Sequence, residues 1–142
     1  MAILETYFYE ASEGHEYFLQ YIDPIDRTLF GMLRLRIPSQ YFIQERHFIS
    51  LLDDAAIIRE VHVFGDQLDF GMRADGTGQH MGFGKRMMAE AERIVEEKYM
   101  KITKVAVISG IGAREYYRKL GYSLEEEYMT KYFHKNNNST SL

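Results

Sequence analysis

Cysteine is absent from all 142 residues, which rules out a disulfide, a thiolate-bound zinc or iron–sulfur cluster and a cysteine nucleophile within this chain. No apolar run approaches the roughly 20 residues that a membrane-spanning helix needs. The opening Met1-Ala2-Ile3-Leu4-Glu5 lacks a signal-peptide pattern, so the sequence reads as that of a cytoplasmic protein. Positive charge is also short: 17 lysines and arginines against 21 acidic residues leave a formal net charge of −4. That balance argues against nucleic-acid binding through an overall positive field and leaves room only for a local basic patch. Proline occurs twice, in the turn Asp23-Pro24-Ile25-Asp26 and at Pro38, where a strand should end. There is no internal repeat. The one low-complexity stretch is the tail from Lys135 to Leu142, expected to be mobile.

What remains is ordinary soluble composition, 46% hydrophobic and 27% charged, in a chain long enough for one domain, placed at 1–134, with a sizeable core. The stretch Gln79-His80-Met81-Gly82-Phe83-Gly84-Lys85-Arg86 organises it, reading as a tight loop that opens into an amphipathic helix. Apolar residues recur at Phe83, Met87, Ala91, Ile94 and Val95, while Lys85, Arg86, Glu92, Arg93, Glu96 and Glu97 take the opposite face. The first helical turn has backbone N–H groups without intrahelical partners. Gly82 and Gly84 carry no Cβ, so a phosphate can approach the main chain at the positive end of the dipole.

A strand over Ala55 to Phe64 precedes this loop, and a buried-type strand, Val105-Ala106-Val107-Ile108, follows the helix. Upstream, Thr6 to Glu10 and Glu16 to Ile22 read as a hairpin around Ser12-Glu13-Gly14. Leu29 to Ile37 alternates Leu33, Leu35 and Ile37 against Arg34 and Arg36, giving an outer face that is either solvated or turned towards an anion. Ser39 to Asp53 reads as a loop with some helix, and Gly65 to Gly78 as a flexible loop. A short helix over Ala113 to Leu120 should close at Gly121 in a left-handed cap, followed by strands at Tyr122 to Leu124 and Tyr128 to Phe133 with Glu125 to Glu127 between them.

Q-x-x-G-x-G at Gln79 to Gly84, with Ala113-Arg114-Glu115-Tyr116-Tyr117-Arg118-Lys119-Leu120-Gly121-Tyr122 downstream, resembles the two signature motifs of the GNAT acetyltransferase superfamily. It is not the G-x-G-x-x-G dinucleotide fingerprint. Leu33 to Ser39, Ile58 to Gly65, Ala89 to Ile94, Ala106 to Gly110 and Tyr116 to Tyr122 together resemble the acetyltransferase domain found in catalytic subunits of the Elongator type. The fold implied is mixed α/β, the GNAT acyl-CoA N-acyltransferase fold: a central twisted mixed sheet of about six or seven strands, flanking helices and a splayed parallel strand pair.

The resemblance implies an acetyl-CoA site that serves carboxymethyl-type modification of the wobble uridine in transfer RNA. In that family a radical S-adenosylmethionine domain with a three-cysteine motif precedes this one, so the radical half of the reaction and most transfer RNA recognition would come from outside this chain, and a fragment of a longer protein is expected. Gln79, Gly82 and Gly84, with the amides of Met81, Phe83 and Lys85, would bind the pyrophosphate, and the main chain at Val61 and Val63 would pair with the pantetheine amides. Tyr117 would protonate the departing CoA thiolate, with Tyr116 beside it; Lys119 and Arg118 would reach the adenosine 3′-phosphate. Glu60 and His62, two residues apart and so on one face of their strand, are candidates to activate water or an acceptor. No metal is implied. Packing or solvated roles stay open for each of these side chains. A stand-alone GNAT N-acetyltransferase acting on a small-molecule or protein amine, or a non-catalytic acyl-CoA sensing module, remain alternatives. No helix pair is expected between the first two strands, where many superfamily members build an amine-acceptor site.

Overall fold

A computed structural model describes residues 2–64 and 82–134. The expected loop from Gly65 to Gly78, the site candidates Gln79 and Met81, and the tail 135–142 lie outside the described residues. Strands β1 (Ile3–Ala11), β2 (Gly14–Ile22) and β3 (Leu29–Ile37) form an antiparallel meander. After the short helix α1 (Ser39–Ile43) come β4 (Ala55–Val63), helix α2 (Phe83–Lys98), β5 (Lys104–Ile108), helix α3 (Arg114–Lys119), β6 (Ser123–Glu125) and β7 (Tyr128–Tyr132). They build one seven-stranded sheet in the order β1-β2-β3-β4-β5-β7-β6, in which β4 and β5 form the single parallel pair among the described residues. The mixed α/β sheet and its parallel pair are those expected from the superfamily resemblance.

Helix α2 crosses one face of this sheet, and its apolar stripe explains why. Phe83, Met87, Met88, Ala91, Ile94 and Val95 are buried against Leu19 of β2, Leu33 and Leu35 of β3 and Ile58 of β4. Each such side chain contributes about 1.5–3 kcal/mol on leaving water, so the stripe is what holds the helix to the sheet. At the opposite end of α2, Tyr99 accepts or donates hydrogen bonds of 2.7 Å with both His15 and Tyr17, and Tyr41 and Phe42 of α1 pack edge-on against its ring.

The β1–β2 connection is a two-residue turn with Ser12 and Glu13 both at positive φ (50° and 64°), a backbone twist that matches the strands it joins. No helix lies between these strands, as the sequence suggested. Arg36 of β3 locks the turn, donating to the carbonyl oxygens of Ala11 (3.0 Å) and Ser12 (3.1 Å) and to the Glu16 carboxylate (2.8 Å). The alternation that placed Arg34 and Arg36 together holds, but their fates differ. Arg36 is a largely buried clasp, while Arg34 stays 40% exposed.

A bulge interrupts β4. Arg34 pairs with Glu60 and Leu35 with Ile58, leaving Arg59 as an extra residue. The bulge changes the phase of the strand: Ala56 and Ile58 lie in the core under α2, and beyond Arg59 that face is taken by Val61 and Val63. Glu60 and His62 therefore point to the other side of the sheet. At the far end, Gly121 adopts φ +97° and the Tyr122 N–H donates to the Tyr117 carbonyl, the glycine-capped helix end read from the sequence.

Candidate functional site

Pairing between β4 and β5 stops at Ile58–Val107, yet β4 runs on to Val63 paired only with β3. Over residues 59–63 the edge of β4 that faces β5 has no strand partner among the described residues. It offers main-chain donors and acceptors to an extended, amide-bearing ligand. The bulge at Arg59 sits where the strands part. Sheet twist sharpens at such a defect, so the bulge accounts for the divergence as well as the change of phase.

Helix α2 begins beside this open edge. Gly82 precedes it at φ −99°, ψ −6°, and no side chain caps the helix. Lys85 and Arg86 are exposed in the first turn, and the Arg86 guanidinium lies 3.1–3.3 Å from where a Gly82 Cβ would stand. Backbone dipole and side-chain charge thus share one sign at this end. Phe83 is different: its ring stacks on Tyr21 and Phe30 with centroids 4.8 and 5.8 Å away, so its side chain belongs to the core.

Helix α3 closes the same side. Tyr117 is 7% exposed, with Tyr116 5.2 Å and Tyr122 6.1 Å away between ring centroids, and Val61, Val63 and Leu120 pack against the same cluster. The Tyr117 hydroxyl has no hydrogen-bond partner among the described residues, unlike Tyr122, which donates to Glu92 at 2.7 Å. Burial raises the Tyr117 pKa above that of a free phenol, so its proton stays in place at neutral pH. Tyr116 is pushed up to about 12 by burial and then by its neighbour Tyr117. Its hydroxyl occupies the space that a Gly84 Cβ would need, with Val63 Cγ2 3.5 Å from the same point.

The sequence-predicted residues therefore divide between the two faces. Val61, Val63, Gly82, Gly84, Tyr116 and Tyr117 gather around the splay on the helix side. Glu60 and His62 lie on the opposite face, 3.3 Å apart (Oε2 to Nε2), with side chains 42% and 51% exposed and Arg34 3.6 Å from Glu60. They are solvated and not enclosed. Arg118 pairs with Glu115 at 2.8 Å on the outer surface of α3, and Lys119 is exposed beside it. The polar cavity at the other end of β4, lined by Gln40, Arg46, His47, Asp53 and Lys101 among others, contains none of the expected site residues.

One residue escaped the sequence reading. Glu16, 3% exposed, is buried between Arg36 at 2.8 Å, Arg59 at 3.8 Å and Arg34 at 3.9 Å, and its Oε1 lacks a hydrogen-bond partner among the described residues. The available signal was its phase: a carboxylate alternating with Tyr17 on β2, in register with Arg36 on β3.

No family model matches the chain. It is 44% identical to Elongator complex protein 3 of Drosophila melanogaster over 129 residues, which are 91% of this chain and 22% of that protein. The chain is homologous to a segment of Elongator complex protein 3. A protein named tRNA uridine(34) acetyltransferase from Dehalococcoides mccartyi is 41% identical over 126 residues, 87% of this chain and 26% of that protein. Among solved structures, Elongator protein 3 of the archaeon Methanocaldococcus infernus, with an N-terminal deletion, superposes with a TM-score of 0.74 at 39% identity. That match covers 93% of this chain and 30% of the archaeal one. The chain thus spans about a quarter of the length of these Elongator-type relatives.

Proposed function

We propose that this chain is the acetyl-CoA-binding acetyltransferase domain of an Elongator-type enzyme, supplying the acetyl group for carboxymethyl-type modification of the wobble uridine in transfer RNA. The observation that carries the reading is the edge of β4 at residues 59–63, which has no strand partner among the described residues and is flanked by the start of α2, without a side-chain cap, and by Tyr117. A pantetheine arm has two amides to pair with such an edge, and its pyrophosphate would meet the amides of Gly82 to Lys85. Gln79 and Met81 would complete the cradle, and Lys119 would serve the 3′-phosphate.

Chemistry follows from the divided faces. Attack on the thioester carbonyl breaks the C–S bond and leaves negative charge on sulfur. Tyr117, held protonated by burial, donates its proton there and is reprotonated from solvent. The attacking group approaches from the face bearing Glu60 and His62, which would accept its proton. A domain of radical S-adenosylmethionine type, absent from this cysteine-free sequence, would generate the carbon radical and hold most of the transfer RNA. An amine acceptor is the weaker reading, since the β1–β2 connection is a tight turn with no helical acceptor wall.

Calorimetry with CoA, acetyl-CoA and longer acyl-CoAs tests the first step. Saturable one-to-one binding of acetyl-CoA is expected; failure of both CoA and acetyl-CoA to bind at millimolar concentration would remove the proposal.

A further inference from the structure

Gly84 reads in sequence as a residue kept small for a phosphate. The structure shows another occupant of that space. An ideal Cβ built on Gly84 comes closer to the Tyr116 hydroxyl oxygen than van der Waals contact allows, with Tyr116 Cζ and Val63 Cγ2 each 3.5 Å away. Three elements meet at this point: the first turn of α2, the open end of β4 and helix α3. Gly84 is buried, Val63 and Tyr116 half-buried. Because Tyr116 belongs to α3 and Val63 to the unpaired part of β4, their contact with Gly84 decides how far α3 stands from the open edge. A methyl at position 84 would collide with the phenol oxygen, whereas against a phenylalanine ring it would meet carbon at ordinary van der Waals range.

Resting on the acetyl-CoA reading above, we propose that Tyr116 is a positioning residue for the acyl-pantetheine arm: its phenol, seated on the bare Cα of Gly84 and against Val63, sets the width of the cleft between β4 and α3. Gly84 is then a glycine for Tyr116 before it is one for a phosphate. Tyr116 acts by holding α3, and with it Tyr117, at a fixed distance from β4. Burial and the neighbouring Tyr117 keep the phenol neutral, so the contact is insensitive to pH across the physiological range.

The test is a double-variant cycle on the full 142-residue chain, with acetyl-CoA affinity read by calorimetry and folding by thermal unfolding without ligand. Gly84→Ala should weaken acetyl-CoA binding at least about 10-fold by displacing the phenol, and Tyr116→Phe about 2- to 5-fold. In Gly84→Ala/Tyr116→Phe the missing oxygen makes room for the methyl, and affinity should return to within about 3-fold of Tyr116→Phe alone. A double variant that binds no better than Gly84→Ala would overturn the proposal and return Gly84 to a direct phosphate role. If Gly84→Ala alone does not fold, the double variant should still fold and bind; its failure to do so would count against the proposal equally. Loss of binding by the unmutated chain itself is a separate result, which would remove the acetyl-CoA reading and Tyr116's part in it.

Discussion

Tyr116 and Tyr117 are neighbours on one short helix, but the side chains do different things. Tyr116 reaches to Gly84, while the Tyr117 hydroxyl is left without a partner among the described residues, buried and protonated. A donor aimed at a developing thiolate contributes in the transition state and little in the ground state. Tyr117→Phe keeps the ring and its contacts, so acetyl-CoA affinity should stay within about 2-fold while thioester cleavage falls by roughly 10- to 1,000-fold. CoA release and acetyl-CoA affinity measured on one preparation of the complete Elongator-type protein with transfer RNA give the answer. Unchanged release would leave Tyr117 a packing residue. The sequence identified both tyrosines as candidates through the motif, but that Tyr116 packs on Gly84, 32 residues away in the chain, is a tertiary contact. Sequence spacing carries no such information.

At the scale of elements, the hairpin of β1 and β2 is secured from outside by β3. Arg36 reaches across β2 to the turn carbonyls, and a Cβ on Gly14 would stand 2.5 Å from the Ile37 carbonyl oxygen and 2.8 Å from the Arg36 guanidinium. Backbone cannot yield as a side-chain tip can, so Gly14→Ala should destabilise the chain by about 1–3 kcal/mol, the usual cost of overpacking. Urea unfolding monitored by circular dichroism measures it, and a variant within about 0.5 kcal/mol of the parent would show that the turn relaxes freely. The boundaries of β3, β4 and the glycine-closed α3, and the start of α2, were legible from period, proline and glycine. The bulge at Arg59 was not. Strict alternation along β4 would set Ile58 and Glu60 on one face, and only the register against β3 reveals that Ile58 and Val61 share it instead. The candidate site depends on that shift, since it turns Val61 and Val63 towards Tyr116 and Tyr117 and sends Glu60 and His62 to the other side.

For the molecule as a whole, charge limits what the chain can hold unaided. Its net charge is −4, and of the arginines on the open face, Arg36 is spent on the turn while Arg34 and Arg59 lie within 4.0 Å of the Glu16 carboxylate. On that face the described arginines are thus already engaged with protein groups, which leaves phosphates to scattered exposed cations such as Lys85, Arg86 and Lys119. Transfer RNA should bind this chain with a dissociation constant weaker than about 1 μM at physiological salt, and raising salt from 50 to 200 mM should weaken it further. Filter binding across a salt series checks this. Submicromolar affinity that ignores salt would mean that the chain reads transfer RNA by itself through contacts other than phosphate charge.

The sequence by itself determined the class of element at nearly every described position, the order of strands and helices, and the resemblance on which the acetyl-CoA reading rests, because these depend on short-range period, turn chemistry and contiguous motifs. Tertiary structure alone decided the parting of β4 from β5, the burial of Glu16 among three arginines, the clasp made by Arg36 and the seat of Tyr116 on Gly84. Each is a contact between residues far apart in the chain, fixed by strand register and by how one surface fills the space left by another.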